Sequence, residues 1–204
     1  MGASNTFLMM GVSFRFFYYH TVMDGKTLLV LSDIHGNVTA LETVLKWAKN
    51  LHDGGIEAAV FLGDGIRDLS RAAGAAGFTG EWKMVRGNND DAFSVPETAV
   101  LDFGGHRFFL CHGHRYSLFG GHHSLVAAAR SMEADGVLFG HSHVPYCGNN
   151  GGVTLVNPGS IGRPRGRAGA TFALVECAPE MQIEARFFGI NRGGDIGELR
   201  VNQN

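Results

Sequence analysis

Aspartate, asparagine and histidine recur along this chain in short clusters of a kind that binds metals. Asp33 and His35 stand in SDIHGN (32–37) and Asp64 in GD (63–64). Asn88 stands in RGNND (86–90), His112 in CHGH (111–114), and His141 and His143 in GHSH (140–143). Each piece alone is commonplace: Gly-Asp and Gly-Asn are ordinary turn dipeptides, and a lone histidine more often serves packing than ligation. Their occurrence together and in order is hard to explain as coincidence between short motifs. Seven nitrogen and oxygen ligands suit two borderline or hard divalent cations, with no thiolate required.

Strands must position them. TLLVLS (27–32) and AAVFLG (58–63) are apolar runs of the sort buried on both faces of a sheet. Between them Asn37 can cap a helix in which Val38, Leu41, Val44, Leu45 and Ala48 recur at helical spacing, giving a β-α-β unit. A Gly/Ala-rich helical stretch (68–77) leads to a short strand at Trp82–Val85. Thr98–Phe103 and His106–Cys111 read as a hairpin about Gly104-Gly105, followed by a helix near Ser124–Met132 and a strand at Gly136–Phe139. A second hairpin pairs Tyr146–Cys147 with Val153–Val156 about the turn 148–152. Thr171–Cys177 and Gln182–Phe188 are the last expected strands, and the Gly-rich polar tail 189–204 is expected to be partly loose. The pattern predicts an α/β layered domain with a sheet parallel early and mixed later. Five of these strands end at a metal-capable side chain, usually beside glycine, and sites in open α/β sheets form at the carboxyl ends of strands.

Composition narrows the function classes. The chain has 204 residues, 45% hydrophobic and 18% charged, with 15 Phe, so it can build a core and is not a disordered chain. Seventeen basic and 19 acidic residues leave a net charge of −2, which argues against a binder of nucleic acid or anionic membrane working through bulk charge. Cys111, Cys147 and Cys177 are odd in number and widely spaced, which suits reduced thiols in a cytoplasmic protein. Assembly into a homo-oligomer remains open. Residues 1–22 are expected to be a dispensable extension, of the kind an upstream start codon adds, ahead of a single domain over 23–204. Arg15 interrupts their second apolar patch, and the stretch falls short of the ~20 apolar residues of a membrane span. It also lacks the basic start and cleavage site of a signal peptide. A tether to a membrane or a partner is the competing reading.

The motif series SDIHGN, GD, RGNND, CHGH and GHSH resembles that of the calcineurin-like metallophosphoesterases, and NPGSIGRPRG (157–166) resembles their small prokaryotic phosphodiesterase branch. The resemblance implies a four-layer α-β-β-α sandwich with two mixed sheets. It implies two divalent ions, Mn²⁺ foremost, with Fe²⁺, Zn²⁺ or Ni²⁺ as alternatives. Asp33, His35 and His143 would bind the first ion, Asn88, His112 and His141 the second, and Asp64 would bridge them. Such a pair ~3.5–4 Å apart acidifies a bridging water, whose hydroxide attacks phosphorus in a small phosphodiester substrate.

One position departs from the family. Many members carry a histidine after the Gly-Asn, where it protonates the leaving oxygen. Here that residue is Asn89, which can donate a hydrogen bond but cannot deliver a proton. The small prokaryotic branch commonly has cysteine there, so activity is compatible with the loss, and His114 is the substitute acid to consider. Asn89, Arg86 and Arg165 are candidates for contact with the substrate, although for the two arginines a salt-bridged loop position is the plainer reading. Asp68 and Asp90 read as supporting carboxylates, and His122 and His123 as an exposed helix start. The alternatives are a phosphomonoesterase or nucleotidase on the same ions, and a non-catalytic scaffold. The retromer's smallest subunit resembles this fold and serves as a scaffold, so fold alone does not decide.

Overall fold

The alternation of side chains between the two faces of the first strand sets the layering. In the computed structural model, which describes residues 25–51, 55–78, 81–118, 120–165 and 169–201, β1 (Lys26–Leu31) runs through the middle of a sheet. Its Leu28 and Val30 face one apolar layer, and Leu29 and Leu31 face another. All four are fully buried, as a strand covered on both faces requires.

The layer on the Leu29 side holds α1 (Val38–Lys49) and α2 (Ile66–Ala76). Asn37 caps α1 by accepting the Ala40 N–H at 3.2 Å, and Leu41, Val44, Leu45 and Ala48 form its buried face. β2 (Ala58–Phe61) pairs parallel with β1, and β3 (Glu81–Met84) parallel with β2. On the other side of β1, β9 (Ala170–Cys177), β10 (Glu184–Ile190) and β11 (Ile196–Leu199) continue the sheet antiparallel.

A second sheet faces the first across the Leu28 side. It runs in the order β4 (Thr98–Phe103), β5 (His106–Cys111), β6 (Gly136–Phe139), β8 (Val153–Pro158), β7 (Pro145–Asn150). Phe108, Leu110, Leu138 and Val156 meet Val60, Leu62, Ala173 and Val175 between the sheets. The outer face packs Phe109, Val137, Phe139 and Leu155 against Leu125, Val126 and Ala129 of α3 (His123–Ser131). The result is the expected α-β-β-α sandwich with two mixed sheets.

Three expectations are corrected. The single sheet read from the strand pattern, parallel early and mixed later, is instead the two sheets that the motif resemblance implied, because β9 returns to pair with β1 while β5, β6 and β8 form their own parallel core. The tail is structured over 189–201: Asn191 Oδ1 accepts the N–H groups of Gly193 and Asp195, closing a turn that folds β11 onto β10. His122 is not simply exposed, since its ring lies 4.6 Å from that of Tyr146 and 5.3 Å from that of Phe139. The extension 1–22 lies outside the described residues.

Both sheets contribute a parallel trio, β1-β2-β3 and β5-β6-β8, and the chain leaves the carboxyl end of each of these six strands at the site described next.

Candidate metal centre

Asp33 and His35 follow β1, Asp64 follows β2, Asn88 and Asn89 follow β3, His112 follows β5, and His141 and His143 follow β6. Five of these residues are held at positive φ: Asp33 (56°), His35 (43°), Asp64 (61°), His141 (66°) and His143 (61°). Aspartate and histidine visit this region more readily than most residues, yet such conformations cost about 1–3 kcal/mol each and persist only where the surroundings dictate them. The strain points the side chains inward from the strand ends.

They converge on two overlapping groups. Asp33, His35 and His143 form one, and Asp33, Asp64 and His112 the other, with ligand atoms in each group within 4.8 Å of one another. His35 Nε2 and His143 Nε2 are 3.2 Å apart, and Asp33 Oδ1 lies 3.0 Å from His143 Nε2 and 3.5 Å from His35 Nε2. Asp64 Oδ2 sits between the groups, 3.6 Å from His35 Nε2 and 3.4 Å from His112 Nε2. His141 joins from the side, its ring 5.1 Å from that of His112, and Asn88 lines the same cleft. The structure therefore gathers all seven expected residues at one place.

The residues present fit a metal. Asp33 Oδ1 and His112 Nε2 are buried with no hydrogen-bond partner among the described residues, a costly state for polar atoms unless something else binds them. The remaining atoms of the same side chains are fully engaged. Asp33 Oδ2 accepts from Ser32 Oγ at 2.6 Å and from the His141 N–H at 3.0 Å. His112 Nδ1 lies 2.6 Å from Leu62 O, and His143 Nδ1 lies 2.6 Å from Arg163 O. Each carbonyl can accept only an N–H, so in both rings the neutral tautomer leaves the Nε2 lone pair aimed into the site, the arrangement typical of metal-bound imidazole.

Electrostatics agree. Burial opposes ionisation of Asp33, but His143, His35 and His112 outweigh it and hold the carboxyl well below the usual range. Asp64 is likewise brought down to about 2, against its burial, by His112 and by both bonds from Asn89. His143 is pushed up by Asp33, and His112 is pushed up by the two carboxylates despite its burial. His141 and His114 go the other way, lowered first by burial and then by the charge of His112.

The surrounding loops support Asp64 and Asp33 closely. Asn89 donates to Asp64 twice, from its N–H at 2.8 Å and from Nδ2 at 2.5 Å, so its amide is spent on that carboxylate rather than offered to a substrate as expected. Glycine is required where backbones press on the ligands: a Cβ at position 87 would overlap Asp64 Oδ1, and one at 140 would overlap Ser32 Oγ. Asp90, as expected, is a supporting carboxylate, and Asp68 accepts the Gly36 N–H at 2.8 Å.

The centre opens into a cleft of about 660 Å³ whose lining includes Asn88, His114, Tyr116, Leu118, Val144, Arg163 and Arg165. Arg165 is thus placed where it was expected. Arg86 is not: its guanidinium pairs with Glu97 at 2.7 Å and lies over the Phe93 ring, away from the cleft lining. Arg163 was missed, although its signal stood in the sequence two residues before Arg165.

The comparisons with known proteins follow the same line. The family model described as calcineurin-like phosphoesterase superfamily domain matches residues 27–180. The chain belongs to this superfamily. It is 27% identical over 173 residues to the probable metallophosphoesterase YsnB of Bacillus subtilis, covering 85% of this chain and 96% of that one. It is 28% identical over 170 residues to the phosphodiesterase YfcE of Escherichia coli, covering 73% of this chain and 86% of that one. The fold is shared with wild-type Vps29 of Entamoeba histolytica solved with Zn²⁺, at a TM-score of 0.67, 21% identity, and coverage of 86% and 98%.

Proposed function

We propose that this protein is a phosphodiesterase with two divalent metal ions, acting on a small phosphodiester. The observation that carries the reading is a pair of buried atoms, Asp33 Oδ1 and His112 Nε2, with no hydrogen-bond partner among the described residues and other potential ligand atoms close by. They lie inside a cluster that also holds Asp64, His35 and His143. The likeness to YfcE, named a phosphodiesterase, supports the choice of diester.

Asp33, His35 and His143 would hold one ion, His112, Asn88 and His141 the other, and Asp64 would touch both. Bound there, two such cations acidify a water and stabilise negative charge on the phosphoryl oxygens; Mn²⁺ is our first choice, with Fe²⁺, Zn²⁺ and Ni²⁺ as alternatives. The chain's own groups do the rest. Leu62 O and Arg163 O fix the His112 and His143 tautomers, Asn89 keeps both Asp64 oxygens in place, and Arg165 lines the cleft that the substrate would enter. His114 stands in the cleft as the nearest imidazole not assigned to an ion, its Nδ1 buried and without a partner among the described residues. Burial, with the charge of His112, disfavours its imidazolium, which suits it to offer the leaving oxygen a hydrogen bond rather than a proton.

The three cysteines are buried and unpaired, which fits a reducing cytoplasm, and among the described residues no helix is long and apolar enough to cross a membrane. A scaffold on the same fold has only the likeness to Vps29 in its favour, against a full set of ligands. The test is a metal-swap assay on chelated protein with matched mono- and diesters. Metal-dependent cleavage of the diester supports the reading, preference for the monoester makes it a monoesterase, and no cleavage with any of the four metals overturns it.

A further inference from the structure

Among the described arginines, most that stand near the site are neutralised. Arg86 and Arg115 both pair with Glu97, at 2.7 and 2.5 Å, and Arg67 pairs with Asp91. Arg163 and Arg165 differ. Both line the cleft, both are exposed, and no carboxylate among the described residues lies within ion-pairing distance of either. Two unpaired guanidiniums within three residues of each other are a strong anion attractor, since each offers a planar fork of donors that matches phosphate.

Their position relative to the metal centre is fixed by the backbone. Arg165 donates its N–H to His143 O at 3.0 Å, and Arg163 O pairs with His143 Nδ1 at 2.6 Å. The loop before them is stitched to the segment that follows β1: Ile161 N–H to Ser32 O (3.2 Å), Gly162 N–H to Asp33 O (2.9 Å) and Ser160 Oγ to Asp33 O (2.8 Å). Gly162 permits that approach, because a Cβ there would overlap Ile34 O. The two guanidiniums therefore stand on a scaffold shared with two ligand-bearing segments. A smaller hollow of about 290 Å³ at the same centre is bordered by Asp68, Asp90 and the Arg67–Asp91 pair, so its one arginine is already neutralised. Among the described arginines that line the two hollows, only Arg163 and Arg165 leave their charge free for an anionic arm of a substrate.

We propose that Arg163 and Arg165 form an anion subsite that takes a second, non-reacting phosphate, so that the favoured substrates are phosphodiesters carrying a further phosphomonoester group. This rests on the phosphodiesterase reading above.

The test uses the full-length, metal-loaded protein. Hydrolysis is compared for thymidine 5′-(4-nitrophenyl phosphate) with and without a 3′-phosphate, two substrates with the same scissile bond. Equilibrium binding is compared for thymidine 3′,5′-bisphosphate and thymidine 5′-phosphate. The expected advantage of the extra phosphate is about tenfold or more in kcat/KM and in affinity, the size of one charge-assisted contact or more. In the double variant Arg163→Gln/Arg165→Gln both ratios should fall to about one, and Arg165→Lys should restore only part of the advantage lost in Arg165→Gln. A ratio near one in wild type overturns the subsite, as does an advantage that survives in the double variant. If neither ester is cut, the phosphodiesterase reading fails, and the binding pair still decides the subsite. Both side chains are exposed, so the substitutions spare the core.

Discussion

The carboxylate of Asp90 accepts the backbone N–H of Asp64 at 2.7 Å, and so governs how the central ligand is presented. Its two oxygens also accept from Gly65 at 2.9 Å, Ile66 at 3.0 Å and Gly87 at 2.9 Å. One side chain thus closes the loop after β2 onto the loop after β3 and caps the start of α2, whose own N-cap residue Gly65 has no side chain to do so.

Asp90→Ala should therefore cost about 2–4 kcal/mol of stability, the loss expected when several buried N–H groups lose a charged acceptor. Metal affinity should fall about 10–100-fold, the usual effect of removing a residue that orients a ligand. Asp90→Asn should recover part of both, since one acceptor oxygen remains. Denaturant unfolding and metal titration on the same samples check this, and unchanged metal affinity in Asp90→Ala would remove Asp90 from the site.

Gly87→Ala tests close packing around Asp64. The added methyl cannot coexist with Asp64 Oδ1, so the carboxylate must shift. The expected result is a loss of about 1–3 kcal/mol, as for other overpacked sites, together with metal affinity at least about tenfold weaker. A variant that binds metal like wild type would show that Asp64 need not be where the structure puts it.

Proton release should accompany metal binding. His112 and His143 hold protons above the ordinary histidine range in the metal-free site, because Asp33 and Asp64 face them. A group with a raised pKa stabilises the metal-free fold fully below the unfolded value of 6.5, and that contribution is lost as pH rises through the folded value. The cation must displace these protons, so apparent affinity should rise with pH across neutrality, and the gain in Tm on adding metal should be larger at about pH 8 than at about pH 6. Calorimetry in buffers of different ionisation enthalpy should detect net proton release on metal binding, and more of it at lower pH. A count of zero contradicts the geometry.

The leaving group should depart with little help. Asn89 cannot supply a proton, and burial with the charge of His112 lowers His114 and disfavours its imidazolium. The rate should then depend steeply on leaving-group pKa across a graded series of aryl and alkyl diesters, and His114→Ala should leave that steepness in place. A shallow slope in wild type that steepens in His114→Ala would make His114 the acid after all. Asn89→His should flatten the slope, by up to about 10²–10⁴-fold in rate for poor leaving groups. Part of that gain will be offset by loss of the amide bond to Asp64.

The seven clustered residues were legible because each is a metal-capable type just past a strand, and strand ends show in sequence as an apolar run giving way to polar residues and glycine. Asp90 was legible for the same reason, as a carboxylate beside the Gly-Asn-Asn turn. The split into two sheets was not legible from periodicity, since it depends on β9 pairing with β1 across more than a hundred residues, and pairing partners leave no local signature. That feature came only from the motif resemblance. The hairpin of β10 and β11 was hidden because the stretch 191–195, rich in Gly, Asn and Asp, reads alike as a loose tail and as a tight turn; in fact Asn191 makes the turn.

Arg86 and Arg165 show the limit for charged side chains. Both follow a strand and stand beside a glycine motif, and nothing local separates them. What separates them is Glu97, which lies within reach of Arg86 and not of Arg165. A partner so placed by tertiary folding cannot be read from the neighbouring residues.

The central claim is that two cations, and not one, make this cluster active. Chelated protein should be titrated with Mn²⁺ while bound metal and hydrolysis of bis(4-nitrophenyl) phosphate are followed together, for wild type and for Asp64→Ala. The account predicts activity that rises with the second equivalent per chain, and an Asp64→Ala protein that stays folded, binds fewer ions and is inactive. Full activity in chelator, saturation at one equivalent, or near-normal turnover by Asp64→Ala would contradict it.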